Sequence, residues 1–88
     1  MQTTPTFDAI HTLVQRRNTL LDRRDEVRAI LRLNVTESTR REREIEYWHI
    51  VGIIDGIGQA LEALREAGEA VGSAEYLVIE ERRQARVA

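Results

Sequence analysis

The chain has 88 residues, enough for one small domain, and no cysteine, which excludes a disulfide and a thiolate metal site. Its net charge of −2 argues against general nucleic-acid binding, because that requires a basic surface. Residues 1–5 lack the basic and apolar regions of a signal peptide, and the apolar run 50–57 is far shorter than the ~20 residues that span a bilayer. We therefore expect a single domain, 1–88, that is cytoplasmic or exported without a cleaved signal.

Charge is divided unevenly along the chain, and all 13 basic residues are arginines. Residues 1–43 carry a net charge of +3, and residues 44–88 carry −5. Since opposite charges attract, we expect the two halves to fold against each other. The absence of lysine has two explanations: the codon usage of a GC-rich genome, or selection for the bidentate contacts that a guanidinium group makes.

The first predicted element is a long helix over about residues 5–33. Thr4 and Pro5 fit an N-cap followed by proline at the first helical position, and Asp8 suits the positive end of the helix dipole. No glycine or proline interrupts the segment that follows. Its apolar residues keep a helical period: Phe7, Ile10, Leu13, Val14, Leu20, Leu21, Val27, Ile30 and Leu31.

A loop is predicted over residues 34–39, because this stretch has no helical apolar period and is rich in residues that cap helices. A capping box is available to Asn34 with Glu37, or to Thr39 with Glu42, so the second helix has two candidate starting points. We place this helix over about residues 40–71.

The end of the chain is predicted as a short third helix over about residues 74–86. Gly68 and Gly72 are the candidate stops of the second helix, and Ser73 is the candidate cap of the third. A short strand is the alternative for residues 76–79. We favour the helix because helix-forming residues follow this segment and no partner strand is predicted.

Two adjacent stripes on the second helix predict the architecture. The first is a coiled-coil-like apolar seam: Tyr47, Ile50, Ile54, Ile57, Leu61, Leu64, Gly68 and Val71. The second is a ridge of small residues: Gly56, Ala60, Ala63, Ala67, Ala70 and Ala74, preceded by Gly52. One antiparallel neighbour cannot cover both stripes. We therefore predict an all-α helical hairpin that dimerises through the ridge into a four-helix bundle.

Two arginines interrupt the apolar stripe of the first helix. Arg17 and Arg24 stand where apolar residues are expected, so each guanidinium must be paired or must reach the surface. The hairpin register brings Glu46 to the height of Arg24, which predicts an ion pair between them. The alternative is that Arg17 and Arg24 bind a carboxylate or phosphate ligand inside the bundle.

Further candidate functional residues lie early in the second helix. Glu46 and His49 have the i, i+3 spacing of carboxylate-bridged metal sites. Such a site would also need a carboxylate from the first helix. The alternative is that the two residues form a polar cluster at the end of the bundle. Trp48 lies off the seam, and two roles are open to it: a lid on the core or an anchor in an interface. Arg40 and Arg41 oppose the helix dipole, which fits a solvated helix end or a contact with a partner.

Two known families share parts of this outline. The chain length, the long helices and the run Tyr76 to Glu80 resemble the helical-hairpin substrates of type VII secretion with their Tyr-x-x-x-Asp/Glu signal, but the Trp-x-Gly turn of that family is absent. The outline also resembles the all-helical chorismate mutases, whose arginines bind a dicarboxylate, a role open to Arg17, Arg24 and Arg43. That family's basic residue in the first loop has no lysine counterpart here, and the third helix is too short. We assign the chain to neither family.

The sequence as a whole favours binding over catalysis. No motif defines a reaction, and we expect no cofactor. Our interpretation is a non-enzymatic protein–protein interaction module, an accessory or inhibitor protein of a bacterium or phage. Its expected partners are a second copy of itself and an unidentified protein. The alternative is a metal-binding or anion-binding helical bundle, catalytic or not, that uses Arg17 and Arg24 or Glu46 and His49.

Overall fold

Three α-helices make up the part of the chain that the computed structural model describes, residues 5–87. They are α1 (Pro5–Leu31), α2 (Glu37–Glu66) and α3 (Val71–Val87). The all-α class is therefore confirmed, and residues 76–79 are helical. The N-cap predicted at Thr4 lies outside the described residues.

α1 and α2 pack against each other as the predicted hairpin. The connection is short, and Arg40 closes it by donating hydrogen bonds to the carbonyl oxygens of Leu31 (3.0 Å) and Leu33 (3.4 Å). Further from the loop, Arg28 of α1 donates to the Tyr47 hydroxyl of α2 at 3.2 Å. Moving away from the loop, earlier residues of α1 thus contact later residues of α2. The two helices therefore run antiparallel.

The second helix begins three residues earlier than predicted. Its N-cap is Thr36, in extended conformation, and the Thr36 hydroxyl accepts a hydrogen bond from the Thr39 backbone N–H at 3.2 Å. Neither capping box forms, because Thr39 already lies inside the helix and Asn34 lies two residues before the cap. A hydroxyl that satisfies one free N–H at the helix start is sufficient to fix this boundary.

The turn after α2 is a Schellman motif around Gly68. Gly68 has a φ of +86°, its N–H donates to Arg65, and the N–H of Glu69 donates to Leu64, both at 3.0 Å. The predicted stop at Gly68 is confirmed, although α2 ends at Glu66 rather than near residue 71. α3 begins at Val71, so Ser73 is not its cap, and Gly72 lies within its first turn.

The core sits where all three helices meet, at the N-terminal half of α1 and the C-terminal half of α2. α3 packs chiefly on α1 and only slightly on α2. The buried cluster consists of Ile10, Val14, Ile57, Leu61, Val71, Ala74 and Val78. α3 is longer than the predicted segment, but it lies on α1 and leaves the small residues from Gly52 to Ala67 uncovered. The predicted extension of the ridge to Ala70 and Ala74 is wrong, because α2 ends at Glu66 and Ala74 is buried in the core as part of α3.

Among residues 5–87, no helix is long and apolar enough to cross a membrane.

Candidate functional site

The exposed α2 face is an unpartnered surface of the described part of the chain. We use this name for the residues on one side of α2 that include two large apolar side chains and the ridge from Gly52 to Ala67. Ile45 is 67% exposed and Trp48 is 68% exposed. The remaining members are also exposed: Gly52, Gly56, Ala60, Ala63 and Ala67. The i, i+3, i+4 spacing places all of them along one side of the helix.

The glycines of this face are open to solvent. A Cβ atom built on Gly52 or on Gly56 would meet nothing within 4 Å. Neither glycine is therefore required by the packing of α1 or α3. Each costs about 1 kcal/mol of helix stability relative to alanine, and nothing within residues 5–87 offsets that cost.

Trp48 does not cover the core. Its indole packs edge-on against Tyr47, with the ring centroids 5.2 Å apart, and most of its surface faces solvent. The first of the two roles considered for Trp48, a lid, is therefore wrong. Its role as an interface anchor stays a prediction.

An Arg–Glu–Arg cluster joins α1 to α2. Glu46 accepts two hydrogen bonds from Arg23, at 2.8 and 3.0 Å, and one from Arg43 at 2.7 Å. These bonds, above all those from Arg23, lower the pKa of the Glu46 carboxyl below its ordinary value of 4.5. The prediction that Arg24 pairs with Glu46 is wrong, because the arginine that pairs with Glu46 is Arg23, one position earlier. Arg23 points across to α2, while Arg24 bonds to its neighbour Asp25 at 3.2 and 3.3 Å.

A second Arg–Glu–Arg cluster links all three helices. Glu75 of α3 accepts from Arg17 of α1 at 2.9 Å and from Arg65 of α2 at 2.7 Å. The bond from Arg17 is the main cause of a lowered pKa of the Glu75 carboxyl. Arg17 is thus paired in the molecule, with a partner from α3 that the sequence pattern did not indicate. An acidic residue two positions after the candidate cap Ser73 gives no sequence signal for such a role.

The predicted anion site at Arg17 and Arg24 is not assembled as one site. Each guanidinium has its own carboxylate, Glu75 and Asp25 respectively. Arg24 also lines a cavity of about 240 Å³ between α1 and α2, and Arg17 does not line it. Arg43, the third arginine in the dicarboxylate comparison, is bonded to Glu46.

The Glu46 and His49 pair gains no further ligand from the fold. Glu46 is already held by two guanidinium groups, and His49 is exposed. Within residues 5–87, no group of three or more His, Cys, Asp or Glu side chains could hold a metal ion. Metal binding by this pair stays a prediction from sequence alone.

Arg40 and Arg41 differ in their availability to a partner. The Arg40 guanidinium is used to close the α1–α2 loop, so it serves the fold. The Arg41 side chain is 75% exposed and has only a loose contact of 3.8 Å with Glu37.

Comparisons with protein-family models, with curated proteins and with solved structures found no match for this chain. The fold and the surfaces described above therefore stand on this chain alone.

Proposed function

We propose that this protein is a non-enzymatic helical interaction module that associates with a second copy of itself through the exposed α2 face. The observation that carries the proposal is the solvent exposure of Ile45 and Trp48 on the same face as an open glycine and alanine ridge. Large exposed apolar side chains beside small residues are typical of a surface on which another helix packs closely.

The order of residues along this face favours an antiparallel pairing of the two α2 helices. Large side chains occupy its N-terminal end, and small ones occupy its C-terminal end. A two-fold axis at Gly56 would place Ile45 beside Ala67 of the second copy, and Gly52 beside Ala60. Trp48 falls at the height of residue 64, where the nearest ridge residue of the second copy is Ala63. Both bulky residues thus lie beside small ridge residues, which allows close packing.

Charge supports the same arrangement. The exposed Arg41 lies near the N-terminal end of α2, and the exposed Glu66 and Glu69 lie at its C-terminal end. An antiparallel pair brings Arg41 toward these two glutamates at both ends of the interface, although the exposed Glu42 beside Arg41 meets them as a like charge. A parallel pair would instead align Glu66 and Glu69 with their own copies. The dimer is a four-helix arrangement of two α1–α2 hairpins, with α3 on the outside of each.

The oligomeric state tests the proposal. Light scattering of the full chain should report about twice its mass of 10.1 kDa. Ala63→Arg should return the mass to that of one chain, because a large charge on the ridge prevents close approach of the helices. Ala29→Arg is the matched control, since Ala29 is exposed on α1, and it should leave the dimer intact. A wild-type mass of one chain at tens of micromolar would refute self-association.

We also propose that the module is an accessory or inhibitor protein that acts by binding a further partner protein. Its small size and its cysteine-free, lysine-free composition support this role, which the sequence interpretation assigned to a bacterial or phage protein.

A further inference from the structure

A polar cleft between α1 and α3 lies apart from the exposed α2 face. Two adjoining cavities, of about 350 and 310 Å³, both have Asn18 and Arg82 in their walls. The first extends along α1, past Gln15 and Thr19. The second extends along α3, and its walls include three arginines and one apolar side chain: Arg82, Arg83, Arg86 and Ile79.

The arginines of this cleft are not fully neutralised. Arg82 forms an ion pair with Asp22, which fixes its position across the α1–α3 contact. Arg83 is 73% exposed, and its nearest carboxylate is that of Glu80, at a loose 3.7 Å. Arg86 has no ion-pair partner within residues 5–87. Two guanidinium groups one helical turn apart are thus free to bind an anion, and a guanidinium binds carboxylates in a bidentate manner.

Asn18 is the second sign of a binding site. Its side chain is half-buried between the two cavities, and it has no hydrogen-bond partner in the described part of the chain. The amide is therefore available to a ligand without the loss of an internal hydrogen bond. Its position beside Arg82 gives a ligand an uncharged hydrogen-bonding group as well as positive charge.

We propose that this cleft binds an acidic segment of another protein, with carboxylates on Arg83 and Arg86 and a polar group on Asn18. Two adjoining cavities of about 350 and 310 Å³ suit several residues of a chain better than a single phosphate group. Glu81 lines the first cavity, and Glu80 lies on the same helix. A continuous anionic surface or a nucleic acid would meet both as like charges, whereas a short segment can place its carboxylates on Arg83 and Arg86 and its uncharged residues beside Glu81. Ile79, 59% exposed, provides an apolar contact for a side chain of the segment.

Fluorescence anisotropy with a glutamate-rich peptide tests the cleft in the full chain. The peptide should bind, and its affinity should fall as salt is raised, because the contact is charged and exposed. Arg83→Gln combined with Arg86→Gln should weaken binding by about tenfold or more, since a hydrogen bond to a charged group contributes about that factor. Asn18→Ala, which leaves net charge unchanged, should weaken it by about threefold to tenfold.

The control variant is Arg16→Gln combined with Arg32→Gln, which removes the same two charges from exposed positions outside the cleft walls. It should leave peptide affinity unchanged, and equal loss in this variant would show non-specific attraction and overturn the proposal. The proposal also fails if the glutamate peptide does not bind, if a matched glutamine peptide binds equally well, or if inorganic phosphate or phosphatidylserine vesicles bind as tightly. Light scattering on the same variants measures their oligomeric state. It therefore shows whether a loss of peptide binding is separate from a loss of dimerisation through α2.

Discussion

At the scale of single residues, two carboxylates at the helix contacts are each held between two guanidinium groups. Glu46 lies between Arg23 and Arg43, and Glu75 lies between Arg17 and Arg65. Both side chains are partly buried, so their charge is screened less than that of a fully exposed ion pair. The two clusters fix the relative heights of the helices, and the Glu75 cluster is the polar contact that ties α3 to both other helices.

These clusters make stability depend on pH in the acid range. The pKa values of Glu46 and Glu75 are lower in the folded chain than the ordinary value of 4.5, so the unfolded chain takes up protons first. The stabilisation is therefore complete well above pH 4.5 and is lost as the pH falls through the lower folded values. Urea unfolding at neutral and acid pH should show this loss in the wild type.

The variant Glu46→Gln with Glu75→Gln serves as the control for that pH dependence. It should be less stable than the wild type at neutral pH, because neutral amides bond more weakly to guanidinium groups. It should also lose less stability on acidification. If the acid-induced loss is the same in both chains, the two clusters do not contribute to the pH dependence.

At the scale of helices and turns, the Gly68 turn determines where α3 starts and hence which helix it covers. Gly68→Ala should destabilise the fold by about 1 kcal/mol, because an L-residue is disfavoured at a φ of +86°. Gly58→Ala is the matched change inside α2, where an added Cβ meets nothing within 4 Å. It should stabilise by about 0.5–1 kcal/mol. Opposite signs in thermal unfolding are the expected result; a stabilising Gly68→Ala would contradict the Schellman turn.

The same scale shows what the sequence could predict. Apolar periodicity predicted the two long helices, because a stripe of Ile and Leu residues has few other ways to be buried. The short loop between them predicted the hairpin, and helix-forming residues predicted the third helix. It did not predict the boundaries at Thr36 and Glu66, since several nearby residues could cap equally well. The Arg23–Glu46 pair was missed because an error of one residue rotates a side chain by about 100° on a helix. The cleft beside Arg86 depends on how α3 packs, which periodicity does not define.

At the scale of the whole molecule, the three helices form a flat body of 51 × 34 × 16 Å. Its thinnest dimension is less than half of either of the others, so most residues have a face toward solvent. A flat molecule of this size has limited capacity to bury its apolar surface by itself. α3 adds a third layer only at one end, and the other end, with Ile45 and Trp48, keeps its apolar side chains exposed.

Cysteine cross-linking is suited to testing how two copies cover that end, because the chain has no cysteine of its own. In the proposed antiparallel dimer only residues near the two-fold axis meet their own copies. Gly56→Cys should therefore form a disulfide-linked dimer under mild oxidation, since the Cα atoms would lie within the ~7 Å limit for a disulfide. Ile45→Cys and Ala67→Cys should each fail to link alone, but should form the mixed dimer when combined. If Ile45→Cys and Ala67→Cys each link to themselves, the helices pair in parallel, and the large-against-small packing is wrong. If none of the variants links while Glu62→Cys, on another side of α2, does, the dimer uses a different surface.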